Sequence, residues 1–225
     1  MREMGMDYLG PQPADFDNVR ALNREFLVLL GESGQFGDLC HGLQAGFLVQ
    51  IKGLGSLQRD RLASAPFLLF SLRESDSVFW DRLFDDSGSH DLFAGPLPDN
   101  GATRLIAASL AYLWQLARQN AYAARLVCGA SLHWCEQIAE RPLMDIIALA
   151  VRSDVLRLRT ATDGDLWRKL LNNATSGERS VRDAACISAL QRVLTVSTMR
   201  QGHRPLLAAR PLRAPPLRVA EDTDR

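Results

Sequence analysis

Apolar and polar positions along the chain recur with helical periodicity over most of its length. Val19, Leu22, Phe26, Leu29 and Leu30 fall at spacings of three and four, which predicts a helix over 17–30 with Asp15 or Asp17 as its N-cap. GESGQFGDLC interrupts the pattern, and a second helix is expected over 43–51. After the KGLG turn, Ser56 offers an N-cap for a third helix, LQRDRLASA. Pro66 ends it, because the residue before a proline is pushed out of helical backbone. PFLLFSLR follows, a short apolar run that periodicity cannot assign to helix or strand. SDSVFWDRLF then reads as a short helix capped by Ser75, Asp76 or Ser77, with Val78, Phe79, Leu83 and Phe84 to bury.

Turn formers dominate 85–100, so this stretch reads as a linker, with Leu92 and Phe93 pinning it to the surface. Leu105, Ile106, Leu110, Leu113, Trp114 and Ala117 make a broad stripe that predicts a helix over 103–120. Shorter helices are expected over 122–128 and 132–139, then in RPLMDIIALA with Pro142 at the first helical position. SDVLRLR shares the ambiguity of PFLLFSLR, and Thr162 with Asp165 resembles a capping box for DLWRKLL. A last helix is expected over 179–200. Beyond Gly202, repeated Pro and scattered Arg read as a disordered tail.

One stretch is written twice. LLFSLRESDSVFWDRLF, from Leu68 to Phe84, returns 87 positions later as VLRLRTATDGDLWRKLL, and Leu69, Asp76, Trp80 and Leu83 meet Leu156, Asp163, Trp167 and Leu170 without a gap. At the same offset Gly42, Gln50, Ile51, Leu62 and Ala63 meet Gly129, Gln137, Ile138, Leu149 and Ala150. That makes nine identities between 42–84 and 129–171, where unrelated chains of this composition give roughly two to four. Phe47 with Trp134, Leu57 with Met144, Phe79 with Leu166 and Arg82 with Lys169 are conservative pairs. After a one-residue slip, Ala21, Phe26, Leu27 and Leu30 meet Ala107, Tyr112, Leu113 and Leu116. The expectation is an all-α fold of two tandem homologous helical repeats related by a pseudo-two-fold, with at most minor short strands. Its parts are a loose lead-in over 1–17, repeat 1 over 18–84, and a linker over 85–102. Repeat 2 with an extra C-terminal helix follows over 103–200, then the tail over 201–225. Two copies are too few for a solenoid.

Composition narrows the function classes. Apolar residues make up 47% of the 225 and charged residues 23%, enough for a globular core. Twenty-six basic residues balance twenty-six acidic ones, so nucleic-acid binding needs a local patch or a basic partner. Cys40, Cys128, Cys135 and Cys186 lie far apart, as expected of buried thiols in a reducing compartment. With no signal-like apolar core at the start and no window of transmembrane length, the expected location is the cytoplasm.

The chemistry-bearing residues form no recognised site. Cys128, His133 and Cys135, with Cys40–His41 aligned near them, do not present three ligands on one short helical face, so no metal or other cofactor is implied. G-x-S-x-G, a P-loop and a G-x-G-x-x-G after a strand are all missing, and KGLGS is a glycine turn only, so no enzyme is expected. Asp76 and Asp163 read as helix caps and Trp80 and Trp167 as core anchors. Arg157, Arg159, Arg168, Lys169, Arg179, Arg182 and Arg192 are the candidate surface for DNA or a partner, with arginines from Arg200 to Arg218 beyond them.

The segment GLQAGFLVQIKGLGSLQRDRLASAPFLLFSLR resembles the central part of FlhD, a subunit of the flagellar master transcriptional activator of bacteria. The features that carry the resemblance fall on Gly42, Leu43, Leu54, Gln58, Leu62, Ala63, Leu68, Leu69 and Arg73, and ALNREFLVLL resembles the family's opening helix. The second copy fits through Tyr112, Leu113, Gly129, Leu149, Ala150 and Arg159, with Asp145 in place of the Gln. The resemblance covers 20–84 and 105–171. It implies an all-helical, dimer-forming, non-enzymatic regulatory subunit that meets DNA together with a protein partner. Here it would be a fused pseudo-dimer, as a monomer or a further homodimer. The other expectation is a helical docking protein of a secretion or flagellar apparatus that never contacts DNA.

Overall fold

The computed structural model describes residues 10–32, 45–86, 100–151, 153–159 and 165–201. Helix makes up 77% of them, and the strands among them form a single two-stranded sheet. The expectations for Gly42, Leu43, Leu92, Phe93, Cys40, His41, Thr162, Asp163 and the tail beyond 201 fall outside the described residues.

Helix α1 (Pro13–Glu32) begins earlier than its apolar stripe does. Pro13 suits a first turn, where its missing N–H is no loss, and the Asp15 carboxylate accepts the Gln12 N–H at 2.7 Å. The lead-in is therefore shorter than 1–17. Helices α2 (Ala45–Gly53) and α3 (Ser56–Ala63) follow. Ser56 is inside α3 rather than capping it; Gln58 Oε1 instead accepts the N–H of Gly55 at 3.1 Å.

The run 66–73 is mostly irregular although Leu68, Leu69, Phe70 and Leu72 are all buried. Asn23, buried in the apolar stripe of α1, replaces the missing ladder. Its amide donates to the carbonyls of Ala63 and Phe67 at 3.2 and 3.0 Å, and its oxygen accepts the Leu69 N–H at 2.8 Å. Strand β1 (Phe70–Ser71) then pairs antiparallel with β2 (Arg157–Leu158), so that Phe70 faces Leu158 and Ser71 faces Arg157. Helix α4 (Ser77–Asp86) is capped by Asp76, which accepts the Phe79 N–H at 3.0 Å.

The expected linker also ends sooner, since Asn100 accepts the Thr103 N–H at 2.8 Å and starts α5 (Gly101–Gln119). Asn120 caps α6 (Ala121–Cys128) in the same way. Gly129 closes α6 with φ 69°, and a Cβ there would lie 2.3 Å from Val193 Cγ1, so both backbone and packing require glycine. Helix α7 (Leu132–Ala139) is capped by Ser131. Pro142 stands just before α8 (Leu143–Ala148), one place earlier than expected. Helix α9 (Asp165–Lys169) runs into a π-helical turn, Leu170–Ala174, before α10 (Arg179–Gln201).

Buried side chains from both halves join one core. Helix α5 packs against α1, α6, α7 and α8, while α10 covers α9 and the π-helical turn. Trp80 and Trp134 meet edge to face across the halves, with centroids 5.2 Å apart. Element starts also recur along the chain: Ala45 and Leu132, Ser56 and Leu143, and Phe70 and Arg157 open their elements 87 positions apart.

Candidate functional site

Where the two strands meet, the second half sends one cation into the first. Arg159 Nε donates to the Leu68 carbonyl at 2.7 Å, and Nη2 donates to the carbonyls of Phe70 and Cys128 at 2.8 and 2.7 Å. Nη1 lies 2.9 Å from Glu74 Oε1, with the two side chains only 8% and 2% exposed. Glu74 Oε2 accepts from Ser71 Oγ and the Leu72 N–H, both at 2.7 Å. Burying an ion costs several kcal/mol unless it is paired and hydrogen-bonded, and here both ions are. Glycine at 129 leaves the room, since a Cβ there would come within 3.1 Å of Arg159 Nη1. Arg159 is thus an interior group, which removes it from the candidate phosphate-contacting set.

The other six candidates divide by position. Arg157 is half-buried, and its Nη1 donates to the Leu156 carbonyl at 3.0 Å. Arg182 begins the stripe that continues through Ala185, Ala189 and Val193, and donates to the carbonyls of Ser176 and Gly177 at 3.0 and 2.8 Å. Arg179 is exposed, 3.5 Å from Asp183 on the same helix. Arg168 is exposed on α9, with Lys169 half-buried beside it, and Arg192 is half-buried on α10.

A cleft of about 340 Å³ opens beside the start of α4, lined by Arg73, Asp76, Val78, Phe79, Arg82, Leu83 and Asp154. Arg73 holds φ 57°, a region that non-glycine residues seldom adopt. Its surroundings fix that backbone: its N–H donates to Ser71 Oγ at 3.0 Å, and its carbonyl accepts the Asp76 N–H at 2.8 Å. Trp80 Nε1 adds donation to the Leu72 and Arg73 carbonyls, both at 3.1 Å. The Arg73 guanidinium lies 3.8 Å from the centroid of the Phe79 ring and bonds Asp76 Oδ2 at 2.6 Å. Burial raises the Asp76 pKa, but the Arg73 hydrogen bond, the Phe79 N–H and the charges of Arg73 and Arg82 outweigh it. The carboxyl ends below its usual value.

Asp76 and Trp80 take the capping and anchoring positions read from the sequence. Asn23, Glu74 and Arg82 were not singled out as site residues. The signal for Asn23 was a polar side chain inside an apolar stripe; for Glu74 and Arg82 no local signal exists. Of the residues near Cys128, both Cys128 and Cys135 are buried, while His133 is exposed. Burial and the Cys135 hydrogen bond push the Cys128 thiol well above its ordinary range, and burial beside Asp183 pushes Cys186 up to about 11. Such thiols are poor nucleophiles. Burial likewise raises Tyr112, whose hydroxyl donates to the Asp15 carbonyl at 3.1 Å. Among the described residues no group of three or more His, Cys, Asp or Glu is placed to hold a metal ion, and no helix is long and apolar enough to cross a membrane. No protein-family model matches the chain, and no curated protein or solved structure is detectably similar to it.

Proposed function

We propose that the chain is a non-enzymatic regulatory subunit, built as a fused pseudo-dimer of an FlhD-like helical unit and acting on transcription through a protein partner. The observation that carries the reading is the strand pairing. Phe70 faces Leu158 and Ser71 faces Arg157. Shifting 70 and 71 by the repeat length of 87 gives 157 and 158, so the shift exchanges the two pairs, as a two-fold axis through the sheet would. The tryptophans support the same relation: Trp80 Nε1 donates to the carbonyl eight residues back, Leu72, and Trp167 Nε1 to the carbonyl eight residues back, Arg159. The aligned opening helices α1 and α5 also pack on each other.

Contact with DNA in this reading goes through Arg168, Lys169, Arg179 and Arg192, on α9 and α10, together with the partner, while Arg157, Arg159 and Arg182 donate to protein carbonyls. The test is a mobility shift at low salt on the full chain, with and without the protein it captures from its own cell. A shift that needs the partner, and disappears when those four cations are replaced by glutamate, supports the regulator. Association with neither DNA nor a partner sinks it. The engagement of Arg159 and Arg182 also favours a second reading, a docking protein of a secretion or flagellar apparatus. Partner capture with no DNA shift at any salt selects that one.

A further inference from the structure

We propose that the cleft beside α4 is a docking point for an acidic side chain of a protein partner, an Asp or Glu next to an apolar residue, held by Arg82 and Arg73. This rests on reading the chain as a protein-binding module and names the chemistry of one contact. The cleft's own acids are occupied. Asp76 accepts from the Phe79 N–H and from Arg73, and Asp154 has a partner of its own. Its donors are not. A guanidinium carries five N–H donors. Among the described residues the Arg73 side chain donates only to Asp76, and Arg82 makes no hydrogen bond or ion pair. The unused capacity of the site is therefore for an acceptor, and a guanidinium's planar fork matches a carboxylate.

The rest of the lining fits a side chain attached to a peptide better than a free ion. Phe79 holds the Arg73 guanidinium flat, which limits the freedom lost on binding. Val78, 58% exposed, and Leu83 supply an apolar wall for the neighbouring residue. About 340 Å³ accommodates one or two side chains and not a whole helix. Arg73 also keeps its left-handed backbone at the cleft edge, a cost of the kind that collects at ligand-binding positions.

The experiment titrates the full chain, labelled with nitrogen-15, with the acetylated peptide Leu-Asp-Leu-Glu-Leu and with its Asn/Gln counterpart, following the amides of 73–83. Sodium acetate and inorganic phosphate serve as free-anion probes. The acidic peptide is expected to shift these amides and the neutral one to leave them. Arg82→Ala should weaken binding by roughly tenfold or more, as loss of a charge-assisted contact does. Arg73→Gly relaxes the backbone while removing the guanidinium, so it should also weaken binding without unfolding the chain. No shift with the acidic peptide, equal shifts with the neutral one, or unchanged affinity in Arg82→Ala overturns the proposal. So does acetate or phosphate matching the peptide, which identifies a free-anion site. The titration needs neither DNA nor the native partner. Failure here leaves the regulatory reading standing, and failure of the mobility shift leaves this one.

Discussion

Four tryptophans share one composition class but not one role, and their indole nitrogens separate them. Trp80 and Trp167 donate to backbone carbonyls from fully buried positions, and Trp114 donates to the Arg141 carbonyl at 2.8 Å. Among the described residues the buried Trp134 indole N–H has no hydrogen-bond acceptor. An unmade buried bond costs about 1–3 kcal/mol, so deleting that N–H removes a penalty as well as volume. Phenylalanine stands at the aligned position, Phe47, where it is buried too. Trp134→Phe should therefore stay within about 1 kcal/mol of the parent. Trp167→Phe should cost roughly 2–4 kcal/mol, because it opens a void and strips the Arg159 carbonyl of its donor. Urea unfolding midpoints at unchanged m decide the matter; equal losses at the two positions would contradict this assignment of roles.

Elements with a continuous apolar stripe were legible, and those held by distant side chains were not. Val19 to Leu30 and Leu105 to Ala117 mark their helices by spacing alone. PFLLFSLR could not be assigned because its backbone is satisfied by Asn23, more than forty residues away, and by a two-residue pairing with the other half. For the same reason, charge in a sequence does not reveal that Arg159 turns inward. Asp76 shows the readable case: a cap with turn formers around it and an apolar run after it. Its carboxyl has a lowered pKa, so the ionised form is the one the fold favours. That contribution is present above the ordinary value of 3.8 and is lost as pH falls through the lowered one. Asp76→Asn keeps a capping oxygen and removes the charge. Because the side chain is 41% exposed, the loss at neutral pH should be no more than about 1 kcal/mol. The gap to the parent should close as pH drops below 3.8, measured by urea unfolding across that range. A gap that is constant with pH would mean the charge contributes nothing.

At the scale of the whole molecule, one contact that joins the halves, Arg159 with Glu74, has no counterpart at the 87-residue offset. Position 159 aligns with Leu72 and position 161, an alanine, with Glu74, so the buried ion pair occurs in one direction only. It reaches three carbonyls in two segments, Leu68 and Phe70 before α4 and Cys128 at the end of α6. Removing one ion leaves the other without its counter-charge: Arg159→Met leaves the Glu74 carboxylate, 2% exposed, with only its hydrogen bonds from Ser71 and Leu72 and should cost about 3–5 kcal/mol. Glu74→Leu alone strands Arg159, though its three carbonyl contacts remain, so its loss should be smaller. In the double variant no buried charge is left, and the total should fall short of the sum of the singles by about 1–3 kcal/mol. Tryptophan fluorescence reports on both halves, from Trp80 in one and Trp114, Trp134 and Trp167 in the other. Because the core is continuous, each variant should still unfold in one transition at a lower midpoint. Additive losses would show that the two charges act independently. A split transition would show that the halves hold together only through this pair, and that the shared core around Trp80 and Trp134 does not couple them.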